Sequence, residues 1–133
     1  MKTVYQDQKT NCFSACLASI LELDIKHIPN FYDENNGNPD LMYENINQWL
    51  DKHDYYRIHF PKMSLKEIQQ NFKHTGYGIV LMGLKDHPNI AHAIVSYNGL
   101  LLHNPMGNQE HHQSGLNEKS CWFNCLVRKF NKA

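Results

Sequence analysis

Helices first and an antiparallel sheet after them, an α+β pattern, is the architecture this 133-residue chain predicts. Three observations carry it. A strongly apolar run extends from Cys12 to Leu23, and an amphipathic helical face lies between Pro39 and Leu50. The second half of the chain reads as short β segments, two of them joined by the hairpin dipeptide Asn98-Gly99.

Taken in order, Asn11 is a suitable N-cap and Cys12 the first residue of a helix running to about Leu23, where Asp24 and Pro29 turn the chain. Because that helix is apolar nearly all round, it belongs in the centre of the fold. Asn35 to Asn38 form a loop, Pro39 opens a second helix, and Met42, Tyr43, Ile46, Trp49 and Leu50 share its apolar face. Tyr55 to Phe60 alternates as a strand that Pro61 should stop. Ser64 and Glu67 make a capping box for a third, short helix bearing Leu65, Ile68 and Phe72. Strands follow over Tyr77–Leu84, Ala91–Tyr97, Leu100–Asn104 and Cys121–Phe130, with a polar loop from Met106 to Lys119.

The length suits one domain over residues 1–133, and no linker, repeat or low-complexity stretch divides it. Basic and acidic residues balance at 13 each, which removes any charge-based argument for nucleic acid or an anionic membrane as partner. The N-terminal residues do not read as a signal peptide, and the Cys12–Leu23 run is too short to span a bilayer. A cytoplasmic protein with four free thiols is the expectation.

The chemistry suggested is that of a cysteine nucleophile. A thiol at a helix N-terminus sits among unpaired amides and the positive end of the helix dipole, which favour the thiolate. Cys12 has that position, and Gln6, six residues ahead, offers a side-chain amide for an oxyanion hole, with Gln8 a competitor at four-residue spacing. His92 heads an apolar strand, and Asn104 lies on the return strand of the same hairpin. A plain two-residue loop would put these two on opposite faces. A bulged three-residue loop Tyr97-Asn98-Gly99, or an equivalent one-residue offset, would pair Ser96 with Leu100 and set His92 directly opposite Asn104, Cβ atoms about 4.5–5.5 Å apart, with Asn104 orienting the imidazole.

Gln6, the segment Asn11-Cys12-Phe13-Ser14-Ala15-Cys16-Leu17-Ala18-Ser19, then His92 and Asn104-Pro105, resemble in kind and order the papain-like cysteine peptidase superfamily. Within it the chain is most similar to the C39-like branch, and to small stand-alone bacterial and phage proteins with an Asn-Cys-Phe-x-Ala-Cys-x-Ala-Ser segment. The resemblance implies a minimal papain-like fold with a central helix packed on an antiparallel sheet. It implies Cys12 as nucleophile, Gln6 as oxyanion donor, His92 as base and Asn104 as orienter, no cofactor, and a peptide or protein substrate. Asn104 stands where the branch usually has aspartate, as in papain-type enzymes. Phe13 replaces the glycine of the leader peptidases, which counts against leader specificity.

Thiol-dependent hydrolysis of a peptide or isopeptide bond is the resulting expectation, and amidase, deamidase and transglutaminase chemistry use the same parts. A catalytically degenerate binding module, such as a phage protein acting on a host factor, is the alternative. No metal site is expected: Cys12 and Cys16 have helical spacing only, and Cys121 and Cys125 on a strand stand about 13 Å apart, too far for one ion or a disulfide. Cys16, Cys121 and Cys125 are read as packing residues and Trp49 as core. Trp122 is read as core or as a shield over His92 and Asn104. His53, His59, His74, His87, His103, His111 and His112 are read as residues of turns, loops and exposed strand faces.

Overall fold

A computed structural model of the chain describes residues 1–85, 91–107 and 115–130. Helix α1 spans Cys12–Leu21, α2 Phe31–Glu34, α3 Pro39–Lys52 and α4 Leu65–Asn71. The strands are β1 Tyr55–Met63, β2 Tyr77–Leu84, β3 Ala91–Tyr97, β4 Leu100–His103 and β5 Leu116–Arg128. They form one open antiparallel sheet in the order β1-β5-β2-β3-β4. The α+β architecture is therefore present, with helices on both faces of the sheet.

Each face has its own core. Phe13, Cys16 and Leu17 of α1 and Ile46 and Leu50 of α3 pack on Ile79, Leu81, Ala93 and Val95. On the other face Leu65 and Ile68 of α4 pack on Val80, Met82, Ile94 and Phe123. This division follows from strand alternation: odd residues of β2 and β3 face α1 and even ones face α4.

Local signals set most of the boundaries. Asn38 Oδ1 accepts from the amides of Asp40 and Leu41, with Pro39 in the first turn of α3, and the Ser64–Glu67 capping box forms as expected. Helix α1 ends two residues earlier than expected: Glu22 adopts a left-handed conformation at φ 57°, and the amides of Glu22 and Leu23 both close on the Ala18 carbonyl. The short helix α2 falls just before the expected loop.

Three expectations about strands are corrected. Pro61 does not stop β1, which continues to Met63 through a register shift between Phe60 and Met63 on the edge of the sheet, where a missing amide is tolerated. Strand β5 begins at Leu116, five residues early, and pairs with the end of β2 through an irregularity between Met82 and Gly83. The β3–β4 hairpin is closed by two residues, Asn98 at φ 50° and Gly99 at φ 80°, with Tyr97 opposite Leu100. A one-residue offset lies further along and runs in the opposite sense to that of a three-residue loop: Ser96 faces Leu101 but Val95 faces His103, so Leu102 is the bulged residue.

The N-terminal segment is stitched between α1 and β4. Ser19 receives the amides of Lys2 and Val4, on its carbonyl and its hydroxyl respectively. The Val4 carbonyl accepts from His103 Nε2 at 2.7 Å, and the Gln6 amide donates to the Pro105 carbonyl at 3.0 Å. His103, expected to be exposed, is buried by this contact and by the edge of the Tyr5 ring.

Candidate active site

Asn11 precedes α1 as expected but does not cap it. Its buried side chain turns back: Oδ1 accepts from the Gln8 amide at 3.1 Å and Nδ2 donates to Asp7 Oδ1 at 2.6 Å. The loop before the helix is ordered by these bonds, and the first amides of α1 are left to the Cys12 sulfur. The backbone N–H groups of Cys12 and Phe13 reach the sulfur, joined by that of Ala93 on β3. Burial nevertheless dominates and raises the Cys12 thiol above its ordinary value, against the three amides that lower it, the Ala93 amide being the strongest of these. Cys16, one turn on, is fully buried and held well above its ordinary value by burial and then by proximity to Cys12.

His92 and Asn104 are brought together, with Nε2 and Oδ1 2.7 Å apart. The same Oδ1 accepts from the Met106 amide at 3.0 Å, so the atom is an oxygen and Nε2 carries the ring proton. The Asn104 carbonyl accepts from the Gly107 amide, which closes the turn around the asparagine. Contrary to expectation, Asn104 does not lie directly opposite His92: continued one step beyond Val95–His103, the register sets it across from Ile94, two residues away on the face that carries His92.

Cys12 joins β3 one residue along from the histidine, at the Ala93 amide. His92 pairs with Met82 and alternates with Ala93, placing it on the α4 side, whereas Cys12 and Ala91 line a cavity on the α1 side. Gln6 has its amide turned inward on its own loop, with Nε2 donating to the carbonyls of Gln8 at 2.8 Å and Lys9 at 3.4 Å, while Oε1 is buried without a partner.

The cavity beside Cys12 has a volume of about 300 Å³ and opens between α1, α2, α3 and the sheet. Phe13, Phe31, Met42, Leu81 and Trp122 give it an apolar lining, and Tyr43 and His59 add polar edges. Trp122 thus stands next to Cys12, rather than over the His92–Asn104 pair. Burial also raises the Tyr43 hydroxyl, which Arg57 lowers and Cys12 raises further.

Tyr43 and His59 are functional candidates that the sequence does not single out. They belong to a polar cluster with Arg57 and the fully buried Asn124, assembled by the pairing of His59 with Asn124 across β1 and β5. The alternation of Arg57 and His59 on one strand was the only local hint. His53 and His74 are exposed as expected, while His87, His111 and His112 lie outside the described residues. All four cysteines are free, and among the described residues no group of metal-ligating side chains converges. No described helix is long and apolar enough to cross a membrane. No family model, curated protein or solved structure matches this chain.

Proposed function

We propose that the chain is a papain-like cysteine hydrolase that cleaves a peptide or isopeptide bond. The observation that carries the reading is the His92–Asn104 hydrogen bond. It fixes the proton on Nε2 and leaves Nδ1 as the ring's basic nitrogen, the arrangement a thiol nucleophile needs from its base. The position of Cys12 supports it: a sulfur at the first residue of α1, among three backbone amides and against the residue next to His92.

In this reaction Sγ of Cys12 gives up its proton to the His92 ring and attacks the carbonyl carbon. The resulting oxyanion is met by the Cys12 amide and by Gln6. Collapse of the intermediate expels the amine with the proton from His92 and leaves a thioester at Cys12, which water then hydrolyses. One adjustment on substrate binding is required: Gln6 Nε2 releases the loop carbonyls. Catalytic contacts are commonly long in ligand-free enzymes and tighten in the Michaelis complex.

A binding module is the second reading, favoured by the raised Cys12 thiol and by the commitment of the Gln6 amide to Gln8 and Lys9. Incubation with p-nitrophenyl acetate, followed by intact mass and peptide mapping, separates the two. Acetylation at Cys12, with turnover of the ester and loss of both in His92→Ala, is expected of the hydrolase. An unmodified Cys12, or labelling indifferent to His92→Ala, would sink it and favour the binding module.

A further inference from the structure

The described residues contain two ion pairs, the N-terminal amine with Glu22 and Lys129 with Asp51, and Arg57 belongs to neither. Arg57 is half-buried, and among the described residues no carboxylate pairs with it. Its Nε donates to Asn47 Oδ1 at 2.8 Å and one Nη donates to Asn124 Oδ1. Its guanidinium lies 4.6 Å over the Tyr43 ring, and His59 Nδ1 stands 3.4 Å from Nη1.

A partly buried cation without a counter-charge is costly, and burial already lowers the Arg57 pKa. The neighbouring Asn124 is fully buried, and its Nδ2 donor is unpartnered. Arg57 therefore lacks a carboxylate partner, and Asn124 Nδ2 lacks an acceptor. Both touch His59 or Tyr43, which line the cavity at Cys12, while among the described residues no Asp, Glu, Lys or Arg lines that cavity. A partly buried positive charge at the border of a largely apolar space projects a field into it.

We propose that this cavity binds a substrate group with an apolar body and a carboxylate, the carboxylate being received at the His59 edge with Arg57 behind it. The inference deepens the hydrolase reading and rests on it for the word substrate, but the binding it describes requires no chemistry at Cys12.

It is therefore tested on the Cys12→Ala protein by NMR titration with two matched pairs of probes. N-acetylphenylalanine against its amide presents a chain-terminal carboxylate, and N-acetylglutamic acid α-amide against N-acetylglutamine α-amide presents a side-chain one. In at least one pair the carboxylate should bind ten-fold or more tightly than the amide, and the favoured pair identifies the source. The preference should fall to two-fold or less in Arg57→Gln and survive in Arg57→Lys. Because Arg57 is partly buried, His59→Ala, at an exposed position, provides a second variant and should reduce the preference without loss of fold. Parity within both pairs, or a preference that both Arg57→Gln and His59→Ala leave intact, overturns the proposal. Failure of the hydrolase reading is registered separately, by the acetylation of Cys12 in the unaltered protein.

Discussion

His92 and Asn104 sit twelve positions apart in sequence and meet through a single 2.7 Å hydrogen bond, Nε2 to Oδ1, made possible by the extra residue Leu102 in β4. The asparagine spends the same oxygen on the Met106 amide, so it anchors both the ring and the turn that follows β4. Asn104→Ala should therefore cost about 1–3 kcal/mol of stability. It should also broaden or shift the His92 Nε2 proton resonance. Asn104→Asp keeps an acceptor at the same place and should preserve that resonance; its loss in the aspartate variant would argue against the acceptor role.

Every thiol in this protein is shifted upward, Cys121 to about 11 by burial and then by Glu118, and Cys12, Cys16 and Cys125 chiefly by burial. The folded state thus holds thiol protons that the unfolded chain gives up at about pH 8.5. The stabilisation is complete below that value and is lost as pH rises from there toward 11. Urea titrations between pH 7 and 10.5 should show a falling midpoint that Cys16→Ala and Cys121→Ala flatten, on top of any overall loss. For the same reason, iodoacetamide labelling of Cys12 in the ligand-free protein should rise only above the free-thiol range. A midpoint below pH 8 would mean that the His92 ring already serves the sulfur without substrate.

Gln6 presents a separable case. Its Oε1 is buried without a partner, so truncation removes an unsatisfied oxygen along with the two bonds from Nε2. Gln6→Ala should leave the melting temperature within a few degrees of the parent. If the amide turns to the oxyanion, acetylation of Cys12 by p-nitrophenyl acetate should slow by about 10²-fold. Equal rates in the two proteins would remove Gln6 from the chemistry.

Gly99 closes the hairpin at φ 80°, and a Cβ there would lie 2.8 Å from the Ile68 carbonyl oxygen and 3.2 Å from that of Phe72. Both neighbours are backbone and cannot rotate away. Gly99→Ala should destabilise the protein by on the order of 2 kcal/mol or more, which chemical denaturation would measure.

What the sequence made legible is what short-range chemistry decides. Asn38 with Pro39 and Ser64 with Glu67 act over three or four residues, and both helix starts form where those residues put them. The boundaries of β2 and β3 follow from alternation bounded by turn residues. Asn11 misleads because its side chain has two competing uses, and the loop amide of Gln8 and the Asp7 carboxylate win over the helix end. Pro61 misleads because its meaning depends on whether the strand lies at an edge, which only the sheet order decides. The Arg57–His59–Asn124 cluster is illegible for a third reason: Asn124 lies 65 residues from His59 and 67 from Arg57 and meets them only through β1–β5 pairing. At the candidate site, chain order suggested the His92–Asn104 partnership, but not the interior turn of Gln6 or the arrival of Cys12 at Ala93.

Leu102 also makes the hairpin a counting device. Loss of that one residue would turn Asn104 to the opposite side of the sheet from His92, though hardly a contact in either core would be disturbed. Loss or gain of two residues would return the asparagine to the right side, displaced by about 7 Å along the strand. Variation in the length of this segment should therefore leave folding largely intact while dividing otherwise healthy proteins by whether the change is odd or even.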